Sequence, residues 1–268
     1  MAETLQVLRP IGDQLRNWRE QRRLSQMELA LQADISTRHL SFVETGRSKP
    51  SRDMIMRLCE QLDLPLRERN QLLLAGGYAP VYTESPLEAP DMEAVRTAIR
   101  QLLRSHEPYP ALVVDRAWNL VDANSGIAML TEGSAPWLLE PPVNALRLSL
   151  HPEGMAPRIL NLGEWRAHLL GRVRREVALS RDPELAKLYA QLQEYPCDQP
   201  EPEPPSSTDI VVPLRYRYGG LELSFFSMSA TFGAPLNVTV SELAIESFFP
   251  ADPATTQFLL KGAARREA

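Results

Sequence analysis

The sequence predicts an all-α N-terminal domain of five helices followed by an α+β domain. Three observations lead there. Apolar residues recur at helical spacing through the first 76 residues, and three serines sit where helix caps belong. Residues 78–90, YAPVYTESPLEAP, then break the pattern with three prolines and no period. Beyond residue 110 the period shortens to that of strands, and Gly219-Gly220 supplies a hairpin signal. A chain of 268 residues is long enough for two domains at roughly 100–200 residues each.

Residues 12–23 read as the first helix, with Leu15 and Trp18 inward and Arg16, Arg19, Arg22 and Arg23 outward. Those arginines either touch a nucleic-acid backbone or solvate the face. Ser25 caps the second helix and Glu28 completes the capping-box pattern. Met27, Leu29, Ala30 and Leu31 are read as its apolar face. Ser36 caps a third helix with Leu40 and Val43 inward, and Gly46 closes it. Two helices joined by so short a turn form a helix-turn-helix. The outer face of its second helix presents Thr37, Arg38, Ser41 and Phe42, side chains that can reach base edges and thymine methyls. Ser51 caps a fourth helix, and Pro65 begins a fifth that ends near Gly76-Gly77.

The second half opens with an amphipathic helix over 91–106, strands over 110–115 and 118–124, and a short helix capped by Asn124. Helices follow over 144–150, 159–180 and 182–195. Residues 196–209 carry five prolines and four acidic residues and read as a mobile loop. Strands are expected over 210–218 and 221–232, the latter with a phase slip that calls for a bulge near Phe225 or burial of both faces. Residues 237–243 read as a strand or the start of a helix, 241–249 as helical, and 251–268 as a loose tail. The expected organisation is therefore a helix-turn-helix domain at 1–80, a linker at 81–90, a second domain at 91–250 and the tail.

Charge is divided unevenly. Residues 1–80 hold 12 Lys/Arg against 10 Asp/Glu, and residues 81–268 hold 17 against 24. Positive charge therefore belongs to the domain expected to meet phosphates. The two cysteines, Cys59 and Cys197, make no disulfide framework, which fits a reducing cytoplasm. No apolar run approaches the roughly 18 residues of a membrane span, and no signal pattern opens the chain. A cytoplasmic protein without membrane contact is expected. The four histidines lack metal-ligand spacing, and nucleophile elbow, phosphate loop and metal triad are all missing. No enzymatic activity, metal or cofactor is expected.

Leu24-Ser25-Gln26, Ala30, Ile35-Ser36, Val43-Glu44-Thr45-Gly46-Arg47 and Pro50-Ser51 resemble the helix-turn-helix of the XRE family, which is similar to the lambdoid phage repressors and Cro. The resemblance implies a five-helix lambda-repressor-like domain. It implies that Gln26 holds a phosphate, that Ser36, Thr37, Arg38, Ser41 and Phe42 form the base-reading turn, and that Arg47 and Lys49 hold the backbone. Many members carry glutamine where this chain has Thr37 and Arg38, so no operator sequence carries over. A homodimer on a palindromic double-stranded DNA operator is expected.

His106-Glu-Pro-Tyr-Pro110, Val114-Asp-Arg-Ala-Trp-Asn119, Asn124, Asn161-Leu-Gly-Glu-Trp165 and Gly220-Leu-Glu-Leu-Ser224 resemble the ligand-binding domain of MmyB-like transcription regulators. The segment Leu72-Leu-Leu-Ala-Gly-Gly-Tyr-Ala-Pro80 matches the end of that family's helical domain. The resemblance implies a PAS-like sensor of a small apolar molecule, with fatty acids the candidate class. The candidate ligand-binding residues are Trp118, Trp165, His168, Leu169, Phe226, Met228 and Phe232, with the helix around Trp165 and the strand over 221–232 forming the pocket. Any single one of the aromatic residues is more simply read as part of a solid core. His168 and Arg166 could meet a carboxylate. The alternative is a C-terminal domain that only dimerises or binds protein partners.

Overall fold

Serine hydroxyls start three of the first five helices. The computed structural model describes residues 10–180, 182–200 and 211–267. Helix α1 spans Ile11–Gln21, α2 Gln26–Gln32, α3 Thr37–Glu44, α4 Arg52–Gln61 and α5 Leu66–Ala75. Ser25 and Glu28 form a reciprocal capping box at α2, and Ser36 and Ser51 accept from the third backbone N–H of α3 and α4. Leu15, Trp18, Leu29, Leu40, Ile55, Leu58 and Leu72 form one buried cluster. Met27 and Leu31 lie outside that core, 67% and 80% exposed. A seven-residue helix has room for one narrow buried stripe, and Leu29 and Ala30 fill it.

Two units divide the chain. The first runs to Ser85 and includes Ala234–Ser241; the second comprises Pro86–Gly233 and the residues from Glu242 onward. Much of the expected linker is tied down within the first unit. The Asn70 side chain accepts from the backbone N–H groups of Val81 and Tyr82 and donates to the Tyr82 carbonyl. Thr83 pairs with Asn237, just before the four-residue helix α11 at Val238–Ser241.

The second unit is built on a five-stranded antiparallel sheet. Its elements are α6 (Glu93–Ser105), β1 (Ala111–Val114), β2 (Leu120–Ala123), α7 (Ile127–Thr131), α8 (Ala145–Leu150), α9 (Leu162–Ser180), α10 (Pro183–Glu194), β3 (Leu214–Tyr218), β4 (Leu221–Thr231), β5 (Ala244–Pro250) and α12 (Pro253–Glu267). The strand order is β2-β1-β5-β4-β3. One face of the sheet packs α6, where Ile99 and Leu103 meet Ala111, Val113 and Ile245. The other face carries the larger core, which includes Val114, Trp118, Trp165, Leu169, Leu188, Phe225 and Phe248. Gly219 and Gly220 both have positive φ, +57° and +82°, as a two-residue hairpin between β3 and β4 requires.

Four expectations change here. Residues 244–250 are a central strand, not a helix. Residues on both faces of this strand are buried, Glu246 and Ser247 among them, so no alternation of apolar and polar residues marks it as a strand. Strand β4 pairs in unbroken register with β5 from Phe225 to Thr231, without a bulge. Its apparent phase slip arises because Leu223 and Phe225 fill one face while Phe226 and Met228 stand on the other, partly exposed. Residues 253–267 are a helix, not a loose tail: α12 packs Leu259 into the core, and Thr255 Oγ1 accepts from the Ser224 N–H. Asn124 does not cap α7 but brackets four backbone groups instead. The mobile loop expected over 196–209 lies outside the described residues from 201 onward.

Candidate functional site

In the first unit, α3 is held by its inner face so that its first turn stands free. The Glu44 carboxylate is 2% exposed. It accepts from Arg19 Nε at 2.7 Å and Nη2 at 2.9 Å, and from Gln26 Nε2 at 2.8 Å. Arg16 Nε lies 3.5 Å away. Burial pushes this carboxyl up, but the hydrogen bonds from Arg19 and Gln26 and the charges of Arg19 and Arg16 outweigh it, so it ionises below its ordinary value. Gly12 brings α1 onto the end of α3: a Cβ there would sit 2.4 Å from the Val43 carbonyl oxygen.

Thr37 and Arg38 are exposed on the first turn of α3, and Ser41 and Phe42 are half-buried behind them. The guanidinium groups of Arg38 and Arg47 lie 5.3 and 6.0 Å from the Phe42 ring. Lys49 is exposed, with its ammonium 5.5 Å from the Tyr78 ring. Ser36 spends its oxygen on the N-cap bond to His39. Gln26 departs from its expected position: its amide nitrogen donates inward to Glu44, which leaves one N–H of that group for a phosphate. Arg19 and Arg22 are not on a free face. Arg19 is buried on Glu44, and Arg22 donates to the Leu62 and Asp63 carbonyls.

The second unit encloses a cavity of about 250 Å³ on the sheet face away from α6. That lies just below the roughly 300–1,000 Å³ common for ligand sites, so only a small or slender molecule fits it as it stands. Its wall is mostly apolar: Leu112 and Leu120 from β1 and β2, Trp118 from the turn between them, Ile127 from α7, Leu146 and Leu148 from α8, and Trp165 and Leu169 from α9. His168, Arg172, Ser227 and Glu246 form a polar end. The candidates Trp118, Trp165, His168 and Leu169 therefore line one cavity. Phe226, Met228 and Phe232 do not. Phe226 stacks on Phe249 across the opposite face, Met228 is 53% exposed, and Phe232 packs with the α6 cluster. Strand β4 contributes Ser227 alone to the wall. Arg166 points elsewhere, donating to the Gln193 carbonyl.

Trp118 adopts a left-handed backbone, φ +64°, which a bulky residue rarely does. The Asp115 carboxylate holds that turn by accepting from the Ala117 and Asn119 N–H groups. Trp118 Nε1 then donates to Glu176 at 2.8 Å, and its ring lies 4.4 Å from the Arg172 guanidinium. Arg172 donates from Nε to Glu176 and from both terminal nitrogens to Glu246. Burial opposes its charge, but those carboxylates outweigh burial and raise its pKa. Burial, then the charges of Arg172 and Arg175, lower the pKa of His168 against an upward pull from Glu246. His168 stacks on Trp165 at 5.5 Å and makes no hydrogen bond among the described residues. Sequence reasoning missed Arg172, Glu176 and Glu246. The spacing of four between His168, Arg172 and Glu176 is visible in the sequence, but Glu246 lies in a stretch whose pattern reads as helical, 74 residues from Arg172.

Among the described residues no group of His, Cys, Asp and Glu could hold a metal ion, and no helix is long and apolar enough to cross a membrane. Residues 10–72 match a helix-turn-helix domain. Residues 95–261 match the MmyB-like transcription regulator ligand binding domain. No curated protein matches the chain. The match over 95–261 covers more than half of the chain and includes every residue named at the cavity. The chain thus belongs to the MmyB-like transcription regulators, joining a DNA-binding helix-turn-helix domain to a ligand-binding domain.

Proposed function

We propose that two copies of this chain bind a palindromic operator through α3 and that an apolar effector in the cavity changes that affinity. The observation that carries the DNA half is the exposed first turn of α3, with Thr37 and Arg38 outward, Arg47 sharing the Phe42 ring with Arg38, and Lys49 exposed in the loop that follows. Arg38 reads a guanine and Lys49 holds a phosphate, with Gln26 offering its remaining amide N–H to the backbone. Ser41 and Phe42 complete the reading face, and Ser36 sets the start of the helix. A single helix-turn-helix covers little DNA, so half-sites should lie about one helical turn, 34–36 Å, or a multiple apart.

Selection from random duplexes, followed by titration of variants, tests these roles. Arg38→Ala should cost about 1–3 kcal/mol and relax specificity at one base pair. Lys49→Ala should weaken all duplexes alike and flatten the salt slope by about one. A change of base preference on losing Lys49 would contradict the assignment, as would a monomer protecting one unrepeated half-site.

The effector half rests on the mostly apolar wall of the cavity, with His168, Arg172, Ser227 and Glu246 among its polar residues. Such a site suits an acyl-type chain, the class to which fatty acids belong. An effector shifts DNA affinity only through its differential affinity for two states of the protein. Native mass spectrometry of freshly purified protein should show retained small-molecule mass, and adding the extracted molecule should change operator affinity. Protein without retained mass, indifferent to acyl compounds on DNA, would leave the domain a dimerisation or protein-contact module.

A further inference from the structure

Helix α6 covers only half of its face of the sheet. It packs on β1 and β5 through Ile99 and Leu103, and the outer residues of β4 lie open beside it. On that open half Phe226 stacks on Phe249, and Phe249 also lies 4.8 Å from the His106 ring, so the apolar strip continues onto the end of α6. Phe226, Met228 and Leu102 are each more than one-third exposed. At 100° per residue, Ala94, Ala98, Leu102 and Ser105 fall on the His106 side of α6. All four are exposed and none is charged. Arg100 and Arg104 lie on the other flank, in a recess shared with Asp122 and Ser125 beside β2. A contiguous exposed apolar patch of this kind marks an interaction surface.

We propose that two copies of this chain join through this face about a twofold axis, α6 of each packed beside β4 of the other. The inference rests on the two-copy reading above and names the surface that joins the copies. A twofold contact sets a surface against itself, so a patch of one sign repels its copy. Residues 81–268 hold 17 Lys/Arg against 24 Asp/Glu, yet none of that acidic excess lies here. Glu222 at the rim is paired with Arg215 at 2.6 Å, and Arg217 adds one exposed cation at the sheet edge. Ala94 and Ala98 leave room for a partner element to approach α6 closely. Phe226, Met228, Leu102, Phe249 and Ala98 together expose on the order of 300 Å² of apolar surface. A standard dimer face covers about 800 Å² per copy, roughly two-thirds of it apolar, so this patch supplies about half of the apolar part.

Sedimentation equilibrium of the intact chain at micromolar concentration tests this. The wild-type protein should be a dimer. Met228→Lys on β4 and Leu102→Glu on α6 each place an unpaired charge in the contact and should raise the dimer dissociation constant about a hundredfold or more. Both side chains are exposed, so circular dichroism and melting of each variant should match wild type. Mixed in equal amounts, the two variants should recover a heterodimer by native mass spectrometry, because their new opposite charges meet across the contact. A folded Met228→Lys protein that stays dimeric, or a mixture that stays monomeric, overturns the proposal and leaves the two-copy reading intact. A wild-type monomer that still forms a two-to-one complex on a palindromic duplex does the same, and leaves the face to another partner. A wild-type monomer both free and on DNA overturns both.

Discussion

Glu44→Ala should destabilise the helical unit by about 3–5 kcal/mol, because it leaves Arg19 buried without its partner. The carboxylate receives two bonds from Arg19 on α1 and one from Gln26 on α2, while sitting itself on α3. Its removal disconnects the helix-turn-helix from the helix that supports it. For a unit of this size the loss corresponds to on the order of 15–30 °C in melting temperature. Calorimetry of the intact chain should show the transition of the helical unit moving and that of the sheet unit remaining. A shift below about 1 kcal/mol would reduce the network to the weight of an exposed ion pair.

The same carboxylate sets a pH dependence. Its pKa in the folded state lies below the ordinary 4.5, so the unfolded chain binds its proton first as pH falls. Its contribution to stability is therefore complete above about pH 4.5 and is lost as pH falls through the lower folded value. Wild-type protein should lose helical-unit stability in that acidic window, and Glu44→Gln should be less stable at neutral pH and flatter there.

Asn124→Ala should destabilise the sheet unit by about 3–5 kcal/mol, since it strands buried backbone groups costing roughly 1–3 kcal/mol each, partly rescued by water. Asn124 is 8% exposed. Its oxygen accepts from the Ala111 N–H at 3.0 Å and the Gly126 N–H at 3.2 Å. Its nitrogen donates to the Leu103 carbonyl at 3.1 Å and the Tyr109 carbonyl at 2.8 Å. One amide thus ties the end of α6, the start of β1 and the turn into α7. Asn124→Asp keeps the acceptors but turns a carboxylate toward two carbonyls, so it should cost nearly as much as alanine. Chemical denaturation of both variants checks this. An Asn124→Asp protein of wild-type stability would show that the donor bonds carry no weight.

Legibility followed the range of the interactions. The helix starts at Ser25, Ser36 and Ser51 were readable because a cap and the N–H it satisfies lie three residues apart. The exposed turn of α3 was readable at the same range: the spacing of Leu40 and Val43 places Arg38 opposite, and Thr37 is exposed as the first residue of the helix. At the cavity, Trp118, Trp165, His168 and Leu169 could be singled out as aromatic or helical-face residues. Phe226, Met228 and Phe232 looked equivalent in sequence, yet the wall takes Ser227 from that strand. Alternation along β4 shows that two faces exist; it does not show which one meets α9.

What the sequence by itself determined was local: capped helices, a proline-marked break, the Gly219-Gly220 hairpin and the helix-turn-helix with its basic flank. Each depends on groups within a few residues of one another, whose preferences survive without the rest of the fold. Tertiary structure alone decided that residues 244–250 run down the middle of the sheet, since pairing with β1 and β4 supplies their backbone hydrogen bonds and burial on both faces erases their period. It alone brought Glu246 to Arg172, 74 residues apart. The charge balance at the cavity's polar end follows from that pairing: a carboxylate's electrostatic effect depends on distance through space, which spacing along the chain does not record.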